Sequence, residues 1–327
     1  MKISVYIPSY NQSALLVEAI DSVLSQTLAP HEIIIIDDVS SDDSVDVIRG
    51  YASRHPDLIR PIFHETNTGI SGVRNDAIEA ATGTHITYVD GDDRLLPDKL
   101  EKEAAALREH PDSELAFSNY FNITYDGKSI DTWIQDLVSP QGDIFEPVFS
   151  RMLPRRDIFR FELASLDAVR RAGPYDRNLK IYEDFEFKMR LSKTAKARYV
   201  NEALAERRCH DAGLSSARVE DHFATLRTIA RKNQHLLDDL PGPARRRTRR
   251  LLMNWIAESA VMSGRYALND GTRSMWKRKC SATRCFVFAA AFAPDLLTIG
   301  DFYRLILPSR TAERLCEGTS DSPVSSE

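Results

Sequence analysis

Residues 85–97, HITYVDGDDRLLP, climb through apolar positions and then set Asp90, Asp92 and Asp93 within four places. The apolar part, His85–Val89, reads as a strand. Its end carries carboxylates close enough to repel one another, a conflict that either a cation or full exposure to water would resolve. Gly91 lets the backbone bend between the acids, and two carboxylates one residue apart can both reach a hard divalent ion. Taken alone, the cluster reads equally well as a solvated turn, because Asp and Gly are favoured turn residues. What lies around it has to decide.

Upstream, strand and helix signals alternate. Ile3–Ile7 reads as a strand. Ser13–Ser25 reads as a helix with Leu15, Leu16, Ala19, Ile20, Val23 and Leu24 on one face. Glu32–Ile36 is a continuous apolar run, as in strands covered on both faces. Asp43–Ala52 is a second helix, Pro61–His64 a short strand and Ser71–Ala81 a third helix. This β-α order predicts an α/β fold with a largely parallel sheet. Ligands of such sheets bind at the carboxyl ends of the strands. Pro8–Asn11, Asp37–Asp38, Asn67–Arg74 and Asp90–Asp93 all fall there.

Beyond Pro97 the pattern predicts a helix to about Arg108, then a strand over Glu114–Tyr125 turning at Asp126-Gly127 as a hairpin does. Residues 130–163 give no clear period. A short helix over Ser165–Arg171, a longer one over Tyr182–Lys193 and a short strand at Arg198–Val200 follow. From Val219 onward the chain reads as helical, interrupted at Pro241-Gly242-Pro243 and Asn269-Asp270-Gly271. Residues 318–327 read as a disordered tail.

Bulk composition narrows the class. The chain has 327 residues, 43% hydrophobic and 28% charged, as folded globular proteins do. Its four cysteines, Cys209, Cys280, Cys285 and Cys316, match neither a disulfide framework nor a zinc spacing, which points to a reducing, cytoplasmic setting. The N-terminus runs straight into a strand pattern with no signal peptide. No uninterrupted apolar run reaches the ~18 residues of a membrane-spanning helix. The net charge of −5 hides an asymmetry: residues 241–315 hold 14 Lys/Arg and 5 Asp/Glu, so this stretch is +9 and the remainder −14.

Other polar groups are weaker alone. Asp37-Asp38 closes a buried strand; helix capping explains it, and so does a ligand rich in donors, such as a nucleoside. Asn67–Ala77 enters a helix through two glycines, which permits close approach to a phosphate. Arg74 and Asn75 sit one turn in. Glu183-Asp184 opens a helix, where acids are favoured by the dipole alone. Asp184 could equally be a general base aimed into the crevice. His210 lies in a polar, loop-like setting.

Together these segments resemble a known family. VYIPSYNQSALLVEAIDSVLSQTLAPHEIIIIDDVSSDDS (5–44), NTGISGVRNDAIEAATGTHITYVDGDDRLLPDKL (67–100) and AGPYDRNLKIYEDFEFKMRLS (172–192) resemble, in order, the opening, the D-x-D segment and the acceptor-side segment of family 2 glycosyltransferases with the GT-A fold. The match spans about residues 3–218. It departs where the family's DDGS is Asp37-Asp38-Val39-Ser40, and where an acid usually follows Tyr10-Asn11 but Gln12 stands.

The resemblance implies a GT-A-type, Rossmann-like catalytic domain over 1–218, with a donor half to about 97 and an acceptor half from 98; residues 219–317, outside the resemblance, read as a basic helical region. It implies inverting, metal-dependent transfer from a nucleoside-diphosphate sugar, UDP ahead of other nucleotides, to an acceptor hydroxyl in polysaccharide or glycolipid assembly. Pro8 and Tyr10 would shape the base pocket, Asp38 and Arg74 contact the base, and Asn67 belong to the same donor site. Asp90 would sit on the ribose, Asp92 ligate Mn²⁺ or Mg²⁺, Asp184 act as base, and His210 lie near the diphosphate. The Asp90–Asp93 loop is expected to be loose until donor binds.

Two rival classes share parts of this pattern. A sugar nucleotidyltransferase would want a glycine-rich basic loop after the first strand, where this chain has Pro8–Ser13 without glycine or lysine. A non-catalytic nucleotide-sugar binder would lack Asp92 or Asp184. The basic C-terminal stretch suits either a helix lying on anionic lipid at the inner face of the plasma membrane or a subdomain packed on the catalytic domain. No nucleic-acid-binding module accompanies it.

Overall fold

The computed structural model describes residues 1–135, 139–209, 219–269, 275–292 and 297. The chain divides into two compact units, Met1–Ser216 and Ala217–Glu327.

In the first unit, β1 (Ile3–Ser9), α1 (Ser13–Leu24), β2 (Glu32–Asp37), α2 (Ser44–Arg54), β3 (Ile59–Phe63), α3 (Gly69–Ala80) and β4 (His85–Tyr88) follow the anticipated alternation. Every residue of β1 is buried, and Ile33–Ile36 are fully inaccessible, so both faces of these strands are covered. The α1 face built from Leu16, Ala19, Ile20 and Val23 is equally dry. Burying one such aliphatic side chain contributes roughly 1.5–3 kcal/mol, so this layer anchors the strand ends that carry the polar groups.

Then come β5 (Arg94–Leu95), α4 (Lys99–Glu109), β6 (Leu115–Ile123), β7 (Ser129–Thr132), α5 (Phe145–Phe149), β8 (Leu163–Ser165), α6 (Leu166–Ala172), α7 (Glu183–Thr194) and β9 (Ala197–Arg208). All nine strands join one sheet in the order β3-β2-β1-β4-β8-β6-β9-β5, with β7 paired to β6. The β3-β2-β1-β4 half is parallel. Antiparallel joints bring in β8 on β4 and on β6, and β5 on β9, while β6 and β9 run parallel. Because β1 sits between β2 and β4, chain order reverses there, and a crevice opens at the carboxyl ends of these strands.

Two readings change. Strand β9 is 12 residues long where only Arg198–Val200 was expected, since its two register shifts against β6 break any clean alternation. β5 and β8 have two and three residues, too short to show a period. Helix breaks before Pro241-Gly242-Pro243, as anticipated, and restarts there: Pro243 stands in the first turn of the next helix, where its missing N–H costs nothing.

The second unit contains α8 (Val219–Lys232), α9 (Gly242–Asn269) and α10 (Met275–Phe292). α9 and α10 lie close together because Gly264 faces the Phe286 ring, which a Cβ there would overlap. Arg245, Arg246, Arg247, Arg249 and Arg250 are exposed along the start of α9. Among the described residues, no helix is long and apolar enough to cross a membrane. The 318–327 tail lies outside the described residues.

Candidate active site

The crevice collects side chains from four strand ends. At the end of β1, Tyr10 is 52% exposed, its ring open to a stacking partner. Asn11 follows in the left-handed region, with φ 53°. Its side-chain oxygen accepts from the Ser41 N–H at 2.7 Å, which ties this corner to the β2 exit.

At the end of β2 the Asp38 carboxylate is buried. It accepts from the Thr68 N–H (2.8 Å), the Gly69 N–H (2.8 Å) and Thr68 Oγ1 (3.1 Å), and pairs with His64 Nδ1 at 2.8 Å. Burial alone would raise its pKa. The two amide donors and His64 outweigh burial and hold it below the ordinary carboxylate range. Asp38 therefore anchors the start of α3, and Asn67 Nδ2 donates to its carbonyl at 2.9 Å. Val39, where the family pattern has glycine, lies at φ 69° with its side chain 42% exposed. A β-branched residue is a genuine outlier in that region.

α3 delivers Arg74, which is 5% exposed. Its Nη1 donates to Glu183 Oε1 at 2.9 Å and its Nη2 lies 3.5 Å from Asp90 Oδ1. The guanidinium sits 5.4 Å from the ring centres of both Tyr88 and Tyr175. Burial opposes its charge, but Asp90 and Glu183 outweigh that and push its pKa well above the usual arginine range. Arg74 is thus a fixed cation joining β4 to the start of α7. Asn75, one residue on, holds the same approach through reciprocal bonds with the Tyr175 backbone, 3.0 and 2.7 Å.

The turn after β4 is tightly built. A Cβ on Gly91 would come within 2.9 Å of the Pro8 carbonyl oxygen and 2.7 Å of Gln12 Oε1. Pro8 thereby meets the acidic turn through its backbone, and only glycine leaves room. The Asp93 N–H donates to the Asp90 carbonyl (2.9 Å), and the Asp93 carboxylate accepts from the Arg208 N–H (2.7 Å). Arg208 Nε donates to the Asp92 carbonyl at 2.8 Å, and its Nη2 reaches Glu18 Oε2 at 2.9 Å. The loop expected to be loose is instead clamped by an arginine from the end of β9. Burial and then the neighbouring Asp92 raise the Asp93 pKa well above normal. Burial also raises that of Asp90, against the pull of Arg74.

α7 opens on Tyr182 at φ 62°, so the chain turns sharply into Glu183 and Asp184. Burial, then the adjacent Asp184 charge, push the Glu183 pKa up to about 7. Burial would raise Asp184 likewise. Its neighbours Arg160, whose Nη1 is 3.8 Å away, Lys188, Arg74 and Arg151 reverse the sign, so Asp184 is held below its ordinary range. Two adjacent carboxyls thus have pKa values driven apart, the pattern of acid–base sites. Asp184 is ionised and able to accept a proton; Glu183 titrates near neutrality.

Among the described residues, no three His, Cys, Asp or Glu side chains converge on a preformed metal centre. A divalent cation shared with a diphosphate needs only one or two carboxylates, with phosphate oxygens and water completing its shell. The Asp90–Asp92 donor set fits a metal of that kind. His210 lies outside the described residues. Sequence reading singled out Asp184 but gave no role to Glu183, Arg160, Arg208 or Lys188. Only the E-D pair hinted at Glu183. Arg160 and Arg208 come from segments that show no clear period, and Lys188 from the same helix as Asp184.

An open crevice at strand carboxyl ends, with paired acids and an ionised carboxylate opposite, has the layout of a ligand site in an open α/β sheet. Residues 4–150 match the model of Glycosyl transferase family 2. The putative teichuronic acid biosynthesis glycosyltransferase TuaG of Bacillus subtilis is 28% identical over 215 residues, 65% of this chain and 81% of that protein. The uncharacterized protein y4gI of Sinorhizobium fredii is 32% identical over 203 residues, 61% of this chain but 21% of its own length. The uncharacterized glycosyltransferase alr2836 of Nostoc is matched over 31% of its length, so this chain spans about a fifth to a third of these two curated relatives. S. aureus TarS 1–349, solved with UDP-GlcNAc, superposes with a TM-score of 0.71 at 19% identity, covering 97% of this chain and 92% of that one. The fold is therefore the mixed α/β fold of TarS.

Proposed function

We propose that the first unit transfers a sugar from a nucleoside-diphosphate sugar, UDP ahead of other nucleotides, to an acceptor hydroxyl with inversion. The observation that carries this reading is Arg74, which bridges Asp90 at 3.5 Å and Glu183 at 2.9 Å. It holds the acidic turn and the Glu183-Asp184 pair to one crevice. TarS with UDP-GlcNAc, and the Pyrobaculum calidifontis mannosyltransferase PcManGT with GDP-Man and Mn²⁺ (TM-score 0.56, 17% identity), support the donor class. The names of TuaG and of the E. coli chondroitin synthase support a polysaccharide product.

In this mechanism Tyr10, Pro8 and the Asp38 corner receive the base, Asn67 and Arg74 line the donor side, and Asp90 faces the ribose. Asp92 would hold Mn²⁺ or Mg²⁺, which supplies charge neutralisation on the departing diphosphate. The acceptor oxygen attacks the anomeric carbon from the face opposite the leaving group, and the bond from that carbon to the phosphate oxygen breaks. The acceptor proton passes to the Asp184 carboxylate. Such a base contributes about 10²–10⁴-fold. Asp184→Asn should keep donor affinity and lose transfer by that factor, and Asp92→Ala should remove the manganese dependence of donor binding. Near-normal transfer by the first, measured with a panel of nucleotide-sugars, would assign the base elsewhere.

The working division is a catalytic domain over 1–218 and a basic helical region over 219–317. Arg245, Arg246, Arg247, Arg249 and Arg250 form an exposed cationic cluster, and we assign them peripheral contact with anionic membrane. Vesicle co-sedimentation that is equal with and without anionic lipid would remove this contact.

A further inference from the structure

The acceptor half contains a second concavity that the transfer mechanism leaves unused. It is an open cleft of about 520 Å³, floored by Tyr120 and Trp133, whose rings stack at 5.3 Å, with Ile130 at its edge. Its volume lies within the roughly 300–1,000 Å³ of ligand sites. Four arginines line it: Arg151, Arg155, Arg156 and Arg207. Two carboxylates share the lining. Asp131 pairs with Arg155 at 2.7 Å, and Asp157 lies 3.8 Å from Arg151. Arg207 contacts the neutral Asn122 oxygen at 3.4 Å and, among the described residues, no carboxylate within ion-pair distance. Arginine outnumbers acid two to one on these walls.

Backbone conformation adds an independent sign. Arg151 (φ 57°), Arg155 (φ 56°) and Arg156 (φ 52°) all occupy the left-handed region. Each such non-glycine residue costs on the order of 1–3 kcal/mol and persists where the surroundings over-determine it, typically at ligand sites. Three in six residues, all facing one cleft, are hard to explain by packing, which would accept glycine or asparagine. Planar guanidinium forks are matched to carboxylate and phosphate groups.

The cleft also adjoins the proposed base. Asp157 on its wall acts on the half-buried Arg160, and Arg160 lies 3.8 Å from Asp184. A glycan anchored here by an anionic group would present a neighbouring hydroxyl toward Asp184. We infer that this cleft is the acceptor subsite and that the acceptor is an anionic glycan, its carboxylate or phosphate groups held by Arg155 and Arg207. This inference rests on the transferase reading for its role, but not for its binding chemistry.

The test titrates the full chain, with UDP and manganese present, with short galacturonate oligomers, glycerol-phosphate oligomers and neutral maltooligosaccharides. Either anionic series, or both, should bind more tightly than the neutral one, and the better of the two identifies the group. Added salt should weaken that binding. The Arg155→Gln, Arg207→Gln double variant should weaken it about tenfold, as expected for loss of charged hydrogen bonds. Neutral oligomers binding as well as anionic ones, salt-independent affinity, or an unchanged double variant would each overturn the assignment. In transfer assays the double variant should raise the acceptor KM; an equal rise in the donor KM would assign the arginines to the donor and also overturn it. If UDP with manganese fails to bind while anionic oligomers bind, the transferase reading falls and the anion cleft stands.

Discussion

Glu183 offers a quantitative test of the electrostatics at the centre of the site. Its side chain is 9% exposed, and its pKa stands at about 7 against an ordinary 4.5. Below pH ~4.5 both folded and unfolded chains hold the proton, and above pH ~7 neither does. Between these limits the folded protein keeps a proton that the unfolded chain has released, so linkage makes stability fall as pH rises through the window. A displacement of about 2.5 pH units at about 1.4 kcal/mol each amounts to about 3 kcal/mol. Glu183→Gln cannot ionise and should not lose this increment. The variant also gives up a charge partner of Arg74, which Asp90 continues to neutralise at 3.5 Å. That loss sets the offset between the two proteins rather than its slope.

The assay is urea unfolding across that pH range. The chain has three tryptophans, Trp133 in the first unit and Trp255 and Trp276 in the second. Substituting Trp255→Phe and Trp276→Phe leaves Trp133 to report the first unit alone. The stability difference, wild type minus Glu183→Gln, should fall by about 3 kcal/mol from pH ~4 to pH ~8 and level off at both ends. A difference that stays constant across this range would refute the raised pKa. A difference of opposite slope would mean that Arg74 dominates and Glu183 is ionised throughout.

Two backbone predictions accompany it. Gly91→Val should push the acidic turn off the end of β1, because even a Cβ meets the Pro8 carbonyl at 2.9 Å; manganese-dependent UDP binding should drop at least tenfold, about the effect of 1.4 kcal/mol, and unchanged binding would mean that the turn is not the donor site. Val39→Gly should relieve the left-handed strain at φ 69° and stabilise the first unit by roughly 1 kcal/mol net of glycine's entropy, whereas a lower unfolding midpoint would show that the Val39 side chain holds contacts worth more than the strain.

The first ninety residues were legible because their signals are local. Ile33–Ile36 is apolar without interruption since both faces are covered, and acids at the ends of buried strands stand out against such runs. The later strands of the first unit hide for the converse reason. β8 is held between β4 and β6 by three residues, and β9 follows no regular alternation because its register against β6 shifts, so neither shows a period. The same holds for chemistry. Asp184 could be picked from a helix-opening acid pair, but its charge state is set by Arg160, Lys188, Arg74 and Arg151, which reach it from three separate segments and α7 itself. Arg208 clamps Asp92 and Asp93 from 115 residues away along the chain. The arginines at 151–156 look like ordinary surface cations until left-handed backbone turns them onto one wall. Local periodicity therefore reports where strand-end acids gather. Which carboxyl carries a proton, and what charge the acceptor side presents, are decided by contacts that close only on folding. Substitutions at Arg74, Arg160 or Arg208 should accordingly disturb the site as deeply as changes to the aspartates themselves.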